Sequence, residues 1–261
     1  MQKIIFIIGL PLVLLFFNSC KKSDSPLSPP IVVPADTAKQ ITISPYPMPV
    51  GDLPGWKQVT AEDFLLTATP AQFGAAYANS WSPYDNGGKY FQSALSASNG
   101  MMAIALDGTT GAAGVFGPKD SRWGHLYGRY SICFKAVAAD GNGTAIMVWL
   151  SSDVWGDGEI DYPEGNFEST IEVFHHGVGC TDCSAADGFN TGVSFRNWHV
   201  ATTEWTPLSV KYYLDDKLIK TVTHDIPVKN HRFTIQMAPN AAVSKPGNFY
   251  IDWVTVYYPI P

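Results

Sequence analysis

Between Gly156 and Asn166 the chain reads GDGEIDYPEGN, which places Asp157, Glu159, Asp161 and Glu164 within eight positions. The whole 261-residue sequence has only 23 acidic residues, so charge is concentrated here. Carboxylates held this close can divide labour at a sugar–sugar bond. One attacks the anomeric carbon while a second, kept protonated, donates to the leaving oxygen; in retaining enzymes the two stand about 5–5.5 Å apart. A calcium loop of the form D-x-[DN]-x-[DN]-G would alternate its acids with Asn or Gly. Ile160 and Tyr162 instead point to a strand.

Strand geometry sharpens that expectation. Side chains alternate along a strand, so Glu159 and Asp161 share one face and Ile160 turns to the other. The next residue on the acidic face is Pro163, which cannot donate to a ladder and favours bulges. A one-residue bulge at Tyr162–Pro163 shifts the register and returns Glu164 to the face of Glu159 and Asp161. Three like charges in a row cannot all ionise comfortably, so at least one pKa must rise. Spacing alone is weak, since E-x-D-x-x-E arises by chance in roughly one chain in sixteen of this length.

The surroundings suit a sugar. Eight Trp are present, and Trp123, Trp149 and Trp155 lie near the acidic segment, where an indole face can stack on a pyranose. Trp253, in the alternating YIDWVTVYY, is expected between the sheets. His175 and His176 in STIEVFHHG face opposite ways and cannot chelate one metal together. His176 is assigned to the cleft side, with a surface or core histidine as the alternative. Glu172, downstream, is expected as an exposed strand residue.

The elements that must hold these residues are strands. GRYSICFKAV, TAIMVWLS, STIEVFHH, HRFTIQMA and NFYIDWVTVYY are rich in β-branched and aromatic residues, and Gly, Asn, Asp and Pro separate them. YYLDDKLI reads as a hairpin turning at Asp215–Asp216. One short helix is expected over 69–78, TPAQFGAAYA. Many antiparallel strands suggest an all-β, two-sheet sandwich, undivided over 45–261. Residues 1–19 have a basic start, an apolar run and a small residue before Cys20, the layout of a secretory signal. Residues 20–44 are Pro- and Ser-rich, the composition of a tether. With a formal net charge of −6 and no basic cluster, no nucleic-acid partner is expected. Cys133 is expected as a buried thiol, and Cys180 with Cys183 as a small loop disulfide.

WLSSDVWGDGEIDYPEG resembles the active-site segment of glycoside hydrolase family 16, the laminarinase and lichenase group, in its bulged form E-[IL]-D-x-x-E. GWKQVTAEDF, YGRYSICFKAV, NWHVATTEWTPLSVKYYLDDKLI and YIDWVTVYY resemble further family strands, in family order over about 55–258. The resemblance implies a β-jelly roll of two curved antiparallel sheets with a concave substrate cleft. It implies a retaining endo-hydrolase acting on a β-1,3- or β-1,3-1,4-glucan-like polysaccharide, with Glu159 as nucleophile, Glu164 as general acid/base and Asp161 between them. Trp155 matches a stacking aromatic at the cleavage site and Trp149 the family's strand Trp, with Trp123 nearby. Some members hold a structural calcium near the closing strand, where Asp252 sits; no other cofactor is implied. Tyr162–Pro163 replaces the usual aliphatic pair and marks a divergent branch. FFNSC resembles a bacterial lipobox, which implies lipid on Cys20, a membrane attachment through it and a place in the cell envelope. A monomer is expected. The readings from other classes are a non-catalytic glycan-binding lipoprotein and a polysaccharide lyase.

Overall fold

The computed structural model describes residues 44–84, 90–180 and 186–261. The signal, Cys20 and nearly all of the tether lie outside the described residues. One compact unit spans Ile43–Pro261. Among the described residues no helix is long and apolar enough to cross a membrane.

Fifteen strands form among the described residues: β1 (Trp56–Glu62), β2 (Trp81–Pro83), β3 (Leu95–Ser98), β4 (Met101–Leu106), β5 (Ala112–Phe116), β6 (Gly128–Ala138), β7 (Asn142–Leu150), β8 (Glu159–Asn166), β9 (Thr170–His176), β10 (Phe189–Ser194), β11 (His199–Trp205), β12 (Val210–Leu214), β13 (Lys217–Val222), β14 (His231–Pro239) and β15 (Gly247–Pro259). They build two antiparallel sheets. One has the order β13-β12-β11-β6-β15-β4-β3, with β1 also paired to β15; the other runs β10-β9-β8-β7-β14-β5-β2. The inner faces bury one core in which Ile132, Phe134 and Val254 of the first sheet meet Ile146, Ile160 and Ile235 of the second. Each such side chain, fully buried, contributes about 1.5–3 kcal/mol.

Local chemistry explains the short elements. The helix α1 (Pro70–Ala76) opens with proline at its first turn, where the missing N–H costs nothing. Gln72 Oε1 reaches back to accept from the Thr69 N–H at 3.1 Å. The β12–β13 hairpin turns at Asp215 and Asp216 with φ of 50° and 62°, the positive values that a two-residue turn needs to match strand twist.

Two cysteine expectations divide. Cys133 is buried and free. Cys180 is disulfide-bonded, and Cys183 lies outside the described residues.

Trp253 departs from expectation. It packs with Cys133 and Val200 under Tyr46 and Met48, on the outer side of the first sheet, and its indole donates to the Tyr46 carbonyl at 2.8 Å. The cause is a register shift in β15 between Ile251 and Trp253. That shift inverts the alternation, so Val254 rather than Trp253 follows Ile251 into the core.

Candidate active site

The acidic segment enters β8 between two glycines in conformations that a side chain resists. Gly158 has φ 92° and Gly165 φ 135°. A Cβ on Gly158 would meet Pro227 at 2.9 Å, and one on Gly165 the Thr170 carbonyl at the same distance. Within the strand the expected bulge is present. Asp161 pairs with Met147 and Glu164 with Ala145, so three steps on β8 span two on β7, and the same slip recurs against β9. The extra residue lies at Tyr162–Pro163, a cis peptide bond. Ile160 and Tyr162 join the core, while Glu159, Asp161 and Glu164 share the outer face of the second sheet.

Each carboxyl has its own surroundings. Trp155 donates its indole N–H to Glu159 Oε2 at 2.6 Å. His176, directly across from Glu159 on β9, places Nε2 at 3.1 Å from Asp161 Oδ2 and 3.9 Å from Glu159 Oε2. Asp161 is only 2% exposed, and its Oδ1 has no hydrogen-bond partner. No donor among the described residues reaches Glu164.

Burial first and the Asp161 charge second push Glu159 upward, with His176 and the Trp155 N–H pulling the other way. Burial raises Asp161 as well, so the two resist simultaneous ionisation and behave as a pair holding one proton. Glu164 rises to about 8, through burial and then the charges of Glu159 and Glu172. One ionised group and one neutral acid on a single face is the division glycosidic cleavage requires.

Glu159, Asp161 and His176 bring possible ligand atoms within 4.8 Å of one another. The indole hydrogen bond to Glu159 and the shared proton assign this cluster to proton chemistry. Asp157, the fourth acid of the segment, stands apart. Lys229 and Ser152 donate to it and hold its carboxyl below the usual range.

The aromatic expectations converge on the same face. Trp155 is 40% and Trp123 45% exposed. Trp149 donates to Asp153 Oδ1 at 2.7 Å, and Arg232, its partner across β7–β14, donates to the same oxygen at 2.6 Å. The Arg232 guanidinium lies 5.2 Å from the Tyr84 ring and 5.6 Å from that of Trp123, within cation–π range. Sequence reasoning missed Tyr84, Asp153 and Arg232. The available signal was an arginine on an apolar strand, HRFTIQMA. His176 faces the acids as assigned, whereas His175 is buried against the Tyr212 hydroxyl and the Asp225 carbonyl. Glu172 differs from expectation: it is half-buried on the acidic face, opposite Glu164.

Asp252 lies on the other sheet, in a pocket shared with Ser44, Asp63 and Gly100. Burial and the Asp63 charge raise it to about 6, opposed by the Ser44 hydroxyl. Two carboxylates in one pocket are oxygen ligands of the kind calcium takes.

A two-sheet jelly roll whose outer face aligns a bulged carboxylate row with exposed indoles defines a carbohydrate-active protein. The model of glycosyl hydrolases family 16 matches residues 87–255, and the chain belongs to that family. Comparison with curated protein sequences found no match. Among solved structures it is similar to the laminarinase catalytic domain of Thermotoga maritima MSB8, at 17% identity and a TM-score of 0.62, covering 80% of this chain and 100% of that one. The endo-β-1,3-glucanase of Pyrococcus furiosus gives 16% and 0.63, over 82% and 99%. A GlcNAcα1-4Gal-releasing endo-β-galactosidase from Clostridium perfringens gives 19% and 0.60, over 82% and 66%. At these identities the likeness is one of fold.

Proposed function

We propose that the protein is a retaining endo-acting glycoside hydrolase that cleaves a neutral, β-linked polysaccharide of the β-1,3- or β-1,3-1,4-glucan type. The observation that carries this reading is the bulge that sets Glu159, Asp161 and Glu164 on one face in different surroundings. Glu159 attacks the anomeric carbon from the form of the pair in which it is the ionised member, accepting the Trp155 N–H, with the pair's proton then on Asp161. Glu164 gives its proton to the departing oxygen, then takes one from water as that water releases the sugar from Glu159. Exposed Trp155 and Trp123 stack on sugar rings.

Reducing-end release from laminarin, lichenan, agarose and carrageenan tests this, with the anomer formed first read by NMR. New ends from a neutral glucan, appearing first as the β-anomer, support it. Binding without release, ultraviolet-absorbing unsaturated ends or the inverted anomer contradicts it.

Two further parts of the proposal lie away from the acids. Asp63 and Asp252 hold a structural Ca²⁺ that neutralises their facing charges. Calcium then raises the thermal midpoint of the wild type and leaves that of Asp252→Asn unchanged; equal shifts in both contradict the site. Lipid on Cys20 attaches a monomeric enzyme to the envelope. An intact mass of envelope-derived protein lacking acyl groups on Cys20 overturns that attachment.

A further inference from the structure

Glu172 stands directly opposite Glu164 on the neighbouring strand. Like charges placed so across a ladder are destabilising, and a site that keeps such a pair has a use for it. Its side chain is fixed. Asn190, opposite Glu172 on β10, accepts at Oδ1 from the Thr170 hydroxyl and the Gly192 N–H, both at 2.8 Å. Those two donors leave its Nδ2 facing the other way, where it donates to Glu172 Oε1 at 2.7 Å. The amide therefore presents a donor to Glu172, which accepts it through Oε1.

Asp161 and Glu159 lie on the same strand as Glu164, and Glu172 on β9; on the other side its partner is Ala145, followed by neutral Gln236 on β14. No cation faces it from these positions, and no donor among the described residues reaches it. Glu159 and Asp161 have Trp155 and His176, and Glu172 has Asn190. Among the described residues Glu164 is the one acid of the four without such a partner.

We infer that Glu172, oriented by the Thr170–Asn190 relay, is a positioning residue that keeps Glu164 in its neutral form and so sets the alkaline limit of the reaction. This rests on the hydrolase reading, since it gives Glu164 the role of acid. Glu172 touches no reacting atom. Its charge disfavours proton loss from Glu164, so activity persists to higher pH than Glu159 and Asp161 alone would allow.

The test is Glu172→Gln. The alkaline limb of kcat/KM on the polysaccharide moves down by about 1–2 pH units, the effect of one like charge at this range. The limb for an aryl glycoside whose leaving group needs no protonation stays in place. A merely structural role would lower both substrates' rates without moving either limb. If Glu172→Gln does not fold, Asn190→Leu, on the exposed strand β10, frees the Glu172 side chain to turn toward solvent and gives a smaller shift of the same sign. Independently of activity, the Glu164 side-chain carboxyl is followed by ¹³C NMR in Glu159→Gln with and without Glu172→Gln. A lower titration midpoint in the double variant supports the inference even if no glycan is cleaved, in which case the hydrolase reading alone fails. An unchanged Glu164 midpoint overturns it.

Discussion

Glu159→Gln abolishes polysaccharide cleavage, lowering kcat by roughly 10⁴–10⁶-fold, the scale seen when a covalent nucleophile is removed. The amide keeps the shape of the side chain and can still accept from the Trp155 indole at the position now 2.6 Å away, but it has no charge with which to attack. Glycan binding survives, because Trp123 and Trp155 keep their exposed rings. The variant is also no less stable than the wild type. Glu159 is buried beside Asp161 and its carboxyl is raised, so its ionisation opposes folding and its removal relieves that cost. Retention on a glucan gel, thermal melting and reducing-end release measure the three effects separately. Loss of binding together with activity contradicts the assignment, since it would mean that the substitution broke the cleft.

Glu164→Ala has a different signature. Cleavage of the polysaccharide falls by about 10²–10⁴-fold, the usual size of general-acid assistance. An aryl glycoside with a good leaving group still forms the glycosyl-enzyme on Glu159, because its departure needs no proton. Release then stalls without a base, and added azide, already ionised, enters the space left by the side chain and restores turnover. Failure of azide to accelerate any substrate contradicts the acid/base role. The isosteric comparison, Glu164→Gln, carries a stability prediction with a defined sign. The folded-state pKa of about 8 lies above the ordinary carboxyl value. Wild-type stability therefore falls as pH rises from about 4.5 to 8, by an amount on the order of a few kcal/mol at most. The variant lacks that decline and melts higher than wild type at pH 8 by roughly 2–4 °C for each kcal/mol.

The acidic strand was largely legible. Alternation placed Glu159 and Asp161 together, and Pro163 announced the slip that brought Glu164 to join them, because proline has no N–H for the ladder. The Asp215–Asp216 turn was legible for a similar local reason. What escaped lies in register and in contacts distant in sequence. Trp253 obeys alternation until a bulge that no proline or glycine marks, at Ile251–Trp253, reverses it. Arg232 and Asp153 meet across 79 positions, and Glu172 acquires its importance from the residue opposite, which strand pairing alone determines. A single strand's pattern shows which residues share a face. It does not show which neighbouring strand supplies the groups that set their charge.

On this mechanism Glu159 forms a bond to sugar while Glu164 waits neutral beside it. A 2-deoxy-2-fluoro glycoside with an activated leaving group slows release of that intermediate enough to weigh it. Mass spectrometry of the digested protein should place one added sugar on the peptide containing Glu159, and on that residue. Sugar attached to Glu164 or Asp161, or inactivation of the enzyme without any covalent adduct, would contradict the account.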